Sequence, residues 1–160
     1  TSLAAGAGTG ELQVVGVRSG RTRTGEQHVG LVTTVAFDRA GRRVVAASED
    51  HTASVWAVDR LGRPRAVLRG HAERLRSAEF SPDGRFVLTA GLGDSARLWD
   101  PSLETTVLEL RKSRRGAARF SPDGRFIALG GVQTVELHRC LVCASPRTLV
   151  RVARSRLPQR

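Results

Sequence analysis

The chain has 160 residues, 40% of them apolar and 26% charged, which is enough for a core of its own and ordinary for a globular domain. No run approaches the roughly 18 apolar residues of a membrane-spanning helix. Two cysteines are too few for a disulfide-stapled scaffold, and 4% aromatic residues with no Tyr argue against base-stacking RNA domains. Lys and Arg number 26 against 15 Asp and Glu, for a net charge of +11. Residues 1–110 are nearly balanced at +1, and residues 111–160 carry the other +10. On this reading, any argument from charge to partner concerns the C-terminal end. The chain begins at Thr1, so a targeting segment upstream stays open.

Taken in chain order, the elements repeat. Phe80-Ser81-Pro82-Asp83-Gly84-Arg85-Phe86 recurs as Phe120-Ser121-Pro122-Asp123-Gly124-Arg125-Phe126, with a looser copy from Phe37 to Arg43. The leading Phe residues are 43 and 40 apart; Trp56 and Trp99 are 43 apart, each 19 residues after its Phe; His28 and His71 each precede theirs by nine. Three markers in one register define a repeat. Within a unit the signals are β. An apolar run (Leu31 to Phe37) leads to a turn in which Pro fixes φ and Gly supplies φ > 0. A second run (Val44 to Ala47, or Phe86 to Ala90) precedes an alternating run that ends at Trp. A fourth (Arg65 to Leu68, or Thr105 to Leu110) completes about 40 residues.

These residues resemble WD-repeat β-propeller blades: Gly70-His71, Ser81-Pro82-Asp83-Gly84 and Trp99-Asp100 in one unit, and His28, Ser48, Asp50 and Trp56 in the unit before. The resemblance implies an all-β fold, a partial propeller of about three and a half four-stranded antiparallel blades. The units are a partial blade 1–27, blades 28–69 and 70–111, and a last blade 112–143. In the partial blade, Leu3 to Val17 supplies two strands and Arg21 to Gln27 the outer one. Such a stack does not close on itself, so the remaining blades are expected outside this chain, and the bare apolar face at its N-terminal side calls for a partner.

In such blades the matching positions form a hydrogen-bonded chain from Trp through Ser and His to Asp. The resemblance therefore casts His28, Ser48, Asp50 and Trp56 as a structural network, with His71 and Trp99 as its counterpart. Read without the repeat, Ser48, His28 and Asp50 would suggest a hydrolase triad; the repeat explains their spacing, and Trp56 completes a set that no triad needs. The next unit has Gly91 and Gly93 where Ser and Asp would fall, with Asp94 one position on, so its network is expected to be eroded. The last unit has Arg111 in place of the Gly-His histidine and His138 in place of Trp; the first has Val15 there.

Cys140-Leu141-Val142-Cys143 has metal or redox spacing, but there is no second Cys pair and no βαβ setting. The expected role is two thiols packing as small apolar residues. Ser145-Pro146 opens a helix, with Leu149, Val150, Ala153 and Leu157 on one side and Arg147, Arg151 and Arg154 on the other, laid over the end of the last blade. Residues 144–160 are thus a basic helical tail. Arg139 to Leu157 resembles the C-terminal ends of bacterial WD-repeat proteins that carry a STAND-type NTPase or kinase module upstream. No phosphate loop, His-Glu-x-x-His or Gly-x-Ser-x-Gly occurs. The expected function is non-catalytic: a cytoplasmic scaffold or sensor module binding other proteins or other domains of the same chain, with no cofactor, metal or membrane. Nucleic-acid binding through Arg111, Lys112, Arg114, Arg115 and the tail is the alternative.

Overall fold

The computed structural model describes residues 2–93, 95–111, 117–130 and 134–143. Among these residues fourteen strands form four antiparallel meanders. Sheet I holds β1 (Ser2–Gly6), β2 (Glu11–Gly16) and β3 (Thr22–Glu26). Sheet II holds β4 (Val32–Phe37), β5 (Arg43–Ser48), β6 (Ala53–Ala57) and β7 (Ala66–Leu68). Sheet III holds β8 (Leu75–Phe80), β9 (Val87–Gly91), β10 (Ser95–Asp100) and β11 (Thr105–Arg111). Sheet IV holds β12 (Ala117–Phe120), β13 (Phe126–Gly130) and β14 (Val135–Arg139). The pattern fits WD-repeat blades. The expected C-terminal helix and the arginines of 144–160 lie outside the described residues. Among the described residues no helix is long and apolar enough to cross a membrane.

The sheets pack face to face, and the period-2 alternation of each strand says which face does what. Leu12 and Val14 of sheet I meet Val44 and Trp56 of sheet II. Val45, Val55 and Leu68 of sheet II meet Leu75, Val87 and Trp99 of sheet III. Leu88, Leu98 and Leu110 of sheet III meet Ala118, Ile127 and Leu129 of sheet IV. Adjacent residues on β6 and on β10 carry the rule. Val14, Val55 and Leu98 face the following sheet, while the next residues, Trp56 and Trp99, face the preceding one. Both indoles are fully buried, a large apolar contribution at each junction.

Successive sheets meet chiefly around their inner strands: β8 packs on β4 and β5, and β12 on β9 and β8. Farther out, large side chains fill the gap. The Trp56 ring lies against Gly25 of β3, where an added Cβ would come within 2.9 Å of Cζ3. Only a residue without a side chain lets the indole close that junction.

The turns of the repeat are built as their residues dictate. Gly84 and Gly124 sit at φ 74° and 69°. Ser81 Oγ accepts the Phe86 N–H at 2.9 Å and donates to Asp83 Oδ1 at 2.6 Å; Ser121, Asp123 and Phe126 repeat the set. Ser81 is buried, so Ser81→Ala is expected to cost about 1 kcal/mol in urea unfolding, whereas the more exposed Ser121→Ala costs less.

Candidate functional site

In sheet II a hydrogen-bonded chain joins Trp56, Ser54, His28 and Asp50, and Ser48 is not part of it. His28, entering sheet II ahead of β4, places Nε2 2.7 Å from Ser54 Oγ and Nδ1 3.0 Å from Asp50 Oδ2. Trp56 Nε1–H donates to the same Ser54 Oγ at 2.7 Å. Ser54, two residues before Trp56 on β6, shares its face of the strand, which is why one oxygen serves both rings. Ser48 stands elsewhere: its Oγ donates to Gly30 O at 3.0 Å and accepts the Asp50 N–H at 3.1 Å. The spacing that suggested Ser48 marks the turn between β5 and β6, not the level of the indole. Thr52 was also missed. Its hydroxyl donates to Asp50 Oδ1 at 2.6 Å and lies 3.1 Å from His28 Nδ1. Burial pushes the Asp50 carboxyl up, but Thr52 and the His28 ring outweigh it and hold the pKa below the usual value.

Sheet III corrects a second expectation, because its network is not eroded at the hydroxyl. His71 Nε2 lies 2.7 Å from Thr89 Oγ1, and Trp99 Nε1–H donates to that oxygen at 2.8 Å. Thr89 is on β9, not β10. It pairs with Arg97 across the ladder, as Ala46 pairs with Ser54 in sheet II. The hydroxyl has changed strand while keeping its level and face. A hydroxyl two residues before Trp, or directly opposite that position, was the signal available. Asp94 lies outside the described residues. Burial, helped by Arg97 and His51, pushes His71 down to about 4, so the ring is neutral at pH 7. His138 pairs with Ile127 on β14, as Trp99 pairs with Val87, so it stands at the Trp level without an indole. Val15 pairs with Leu3 on sheet I; Arg111 ends β11.

Asp50, His28 and Ser54 thus have the connectivity of a hydrolytic triad, and burial denies them its chemistry. Ser54 and Trp56 are 0% exposed, and Ser54 Oγ is engaged by both rings. A nucleophile needs an open side for the reacting carbon and oxyanion donors beside it; this oxygen has protein on every side. Among the described residues no group of His, Cys, Asp and Glu could hold a metal ion.

Cys140 and Cys143 are joined by a disulfide, with Cα atoms 5.3 Å apart, and are not the two free thiols expected. The i, i+3 turn after β14 brings the two sulfurs together. Cys140 is 2% exposed against Ile127 and Leu129, and its N–H donates to Arg125 O at 2.8 Å.

The surface offers a different arrangement. In sheets II and III the turn after the first strand and the turn before the outer strand lie at the same end of the meander, and the β2–β3 turn of sheet I is the counterpart of the β6–β7 connection. The Arg42 carbonyl accepts the Val58 N–H at 2.9 Å and ties two of them together. Three clefts open at this end, and Arg43 lines all of them. Its Nε donates to Asp38 Oδ2 at 2.9 Å, its Nη2 to Gly84 O at 2.6 Å, and its Cζ lies 4.8 Å from the Phe80 ring centre. Arg43 therefore clamps the turn of sheet II to that of sheet III.

Comparison with known proteins agrees with the repeat. The family model for the WD domain, G-beta repeat, matches residues 20–57 and 62–100. It is similar to WD repeat and SOCS box-containing protein 1 of Danio rerio, 32% identical over 107 residues, covering 66% of this chain and 25% of that protein. Ribosome assembly protein 4 of Saccharomyces cerevisiae is 37% identical over 57 residues, 36% of this chain and 11% of that protein. Small ribosomal subunit protein RACK1 of Caenorhabditis elegans is 36% identical over 89 residues, 49% of this chain and 27% of that protein. The chain thus spans about a quarter or less of the length of most of these relatives.

Proposed function

We propose that the chain is a non-catalytic protein-binding module, a scaffold or sensor built of propeller blades, whose partners are other proteins or other domains of a longer chain. One observation carries this reading. The only triad-like constellation among the described residues is sealed inside sheet II, while the turns on both ends of the sheets join strands paired in antiparallel ladders. Loops held in this way lose little entropy on binding. The network of His28, Asp50, Ser54 and Trp56, with His71, Thr89 and Trp99, serves as the internal brace.

The outer sheets support neighbouring blades as one class of partner. Leu137 stands where Val55 and Leu98 are buried against a following sheet, yet it is 71% exposed, with Val135 at 70% beside it. Leu3 on sheet I is 65% exposed on the opposite end of the stack. A cytoplasmic setting, a bacterial source and an NTPase or kinase module elsewhere in the protein complete the reading. In a reducing compartment the Cys140–Cys143 pair would be a dithiol.

The test is capture. The immobilised chain, cross-linked in extract of its source, is expected to retain a protein that saturates and competes with free chain. Retention of nucleic acid alone, abolished by nuclease and by moderate salt, would instead establish the basic C-terminal segment as the binding element.

A further inference from the structure

The near-neutral charge of the first two-thirds of the chain conceals a separation in space. The β2–β3 turn carries Arg18 and Arg21. The β4–β5 turn carries Arg39 and Arg42, and the β6–β7 connection carries Arg60, Arg63 and Arg65. All seven side chains are exposed, and none makes an ion pair among the described residues. The acids in these three turns are Asp38 and Asp59. Asp38 is buried and spoken for: it accepts the Arg42 and Arg43 N–H groups and the Arg43 guanidinium. Only Asp59 is left exposed to offset the arginines. At the other end of sheet II the connections carry Glu49, Asp50 and Glu73 against Arg69 and Arg74, and the Arg74–Glu49 pair closes at 3.1 Å. The linear average cancels two ends that the meander holds apart.

The basic end is also concave. A cleft of ≈ 680 Å³ is lined by Arg23, Arg42, Arg43 and Arg65 together with Ala57 and Val58. A second of ≈ 540 Å³ continues past Arg43 and Arg65 to Arg85, Phe86 and Asp100 on sheet III, where the basic character ends. Low-dielectric walls with several unpaired guanidinium groups concentrate positive potential. Each guanidinium presents a planar fork suited to a carboxylate.

We propose that this turn end, over sheets I and II, is a docking groove for an acidic extended protein segment. The inference rests on the protein-binding reading above and names the surface and the chemistry of its partner. Side-chain carboxylates of the segment pair with Arg42 and Arg65, and its aliphatic stems lie on Ala57 and Val58. A peptide fits better than a phosphate backbone for two reasons. The exposed Asp59 lines the first cleft, where a continuous row of phosphates would meet it, whereas a peptide offers N–H donors. The second reason is the absence of a stacking platform. No aromatic ring lines that cleft to stack a base.

The probe is a fluorescein-labelled ten-residue polyglutamate peptide, read by anisotropy on the full chain at low salt, with a polyglutamine peptide and a labelled DNA duplex alongside. Arg42→Glu with Arg65→Glu is expected to weaken polyglutamate binding about tenfold or more. Arg69→Glu with Arg74→Glu, the same charge change at the opposite end, leaves it within about twofold. None of these side chains braces the core, and matching urea midpoints verify folding. Should the first pair depress folding, Arg18→Glu with Arg63→Glu reads the same surface. Equal losses from both ends, or none from the turn end, overturn the proposal. DNA that binds more tightly than polyglutamate with the same dependence on Arg42 and Arg65 overturns it in favour of a nucleic-acid surface. A partner captured equally well by the turn-end variant sinks this inference and leaves the protein-binding reading standing, whereas no captured partner at all sinks that reading first.

Discussion

Ser54→Ala and Thr89→Ala are each expected to lower the free energy of unfolding by about 3 kcal/mol, and Ser48→Ala by about 1 kcal/mol. The reason is the number of partners stranded where water cannot reach. Ser54 Oγ takes the Trp56 N–H and faces His28 Nε2, and all three residues are buried. Removing it leaves two polar atoms unsatisfied inside the sheet, each at about 1–3 kcal/mol. Thr89 holds Trp99 and His71 in the same way. Ser48 also has two partners, the Gly30 carbonyl and the Asp50 N–H. Both belong to half-buried residues at a turn, where water takes over the lost bonds. Against a total stability of roughly 5–15 kcal/mol, the first two losses are large shifts of the urea midpoint. A Ser48→Ala protein as damaged as Ser54→Ala would refute the assignment of the hydroxyl.

The same residues show which parts of the molecule are written plainly in the chain. The Phe-Ser-Pro-Asp-Gly turns are local objects: Pro, Gly and a Ser–Asp pair suffice to build them, and they appear where they are written, from Ser81 to Phe86 and again from Ser121 to Phe126. Strand order follows, since short turns leave consecutive strands nowhere to go but beside each other. The indole's partner is a different kind of fact. It depends on which oxygen lies level with the ring on one face of a sheet, and a position on the third strand or the facing position on the second serves equally. Ser54 and Thr89 use one solution each, so no single spacing could have identified both. Charge is legible only in three dimensions, because residues far apart in the chain, such as Arg21, Arg42 and Arg63, gather at one end while Glu49 and Glu73 go to the other. The Cys140–Cys143 bond lay within reach of a local reading, since a turn after the last strand closes an i, i+3 pair; from sequence the thiols are cast as packing groups because no second Cys pair and no βαβ setting accompany them, and the contact of Cys140 with the core is present beside the bond.

Between pH 7 and pH 4 the chain is expected to lose about 3 kcal/mol of stability through His71 alone. Its folded pKa, about 4, lies below the ordinary 6.5, chiefly because burial disfavours the imidazolium, with Arg97 and His51 adding to the effect. In the unfolded chain the ring protonates near 6.5; in the folded chain it resists until about 4. Within that window the unfolded state binds the extra proton, so acidification favours unfolding. Stability from this group is complete above about pH 6.5, falls as pH drops, and levels off below about 4; each pKa unit is worth 1.36 kcal/mol. Asp38, Asp50, Asp100 and Asp123 have lowered pKa values and act below the usual 3.8, whereas Glu79, raised chiefly by burial, acts with the opposite sign. The clean measurement is therefore a difference. Urea unfolding of the native chain and of His71→Gln at half-unit steps is expected to give a slope in the native chain that the variant lacks, although the variant starts lower. Parallel curves would show that the ring is solvated in the folded state, and with it that the bond between His71 and Thr89 is open to water.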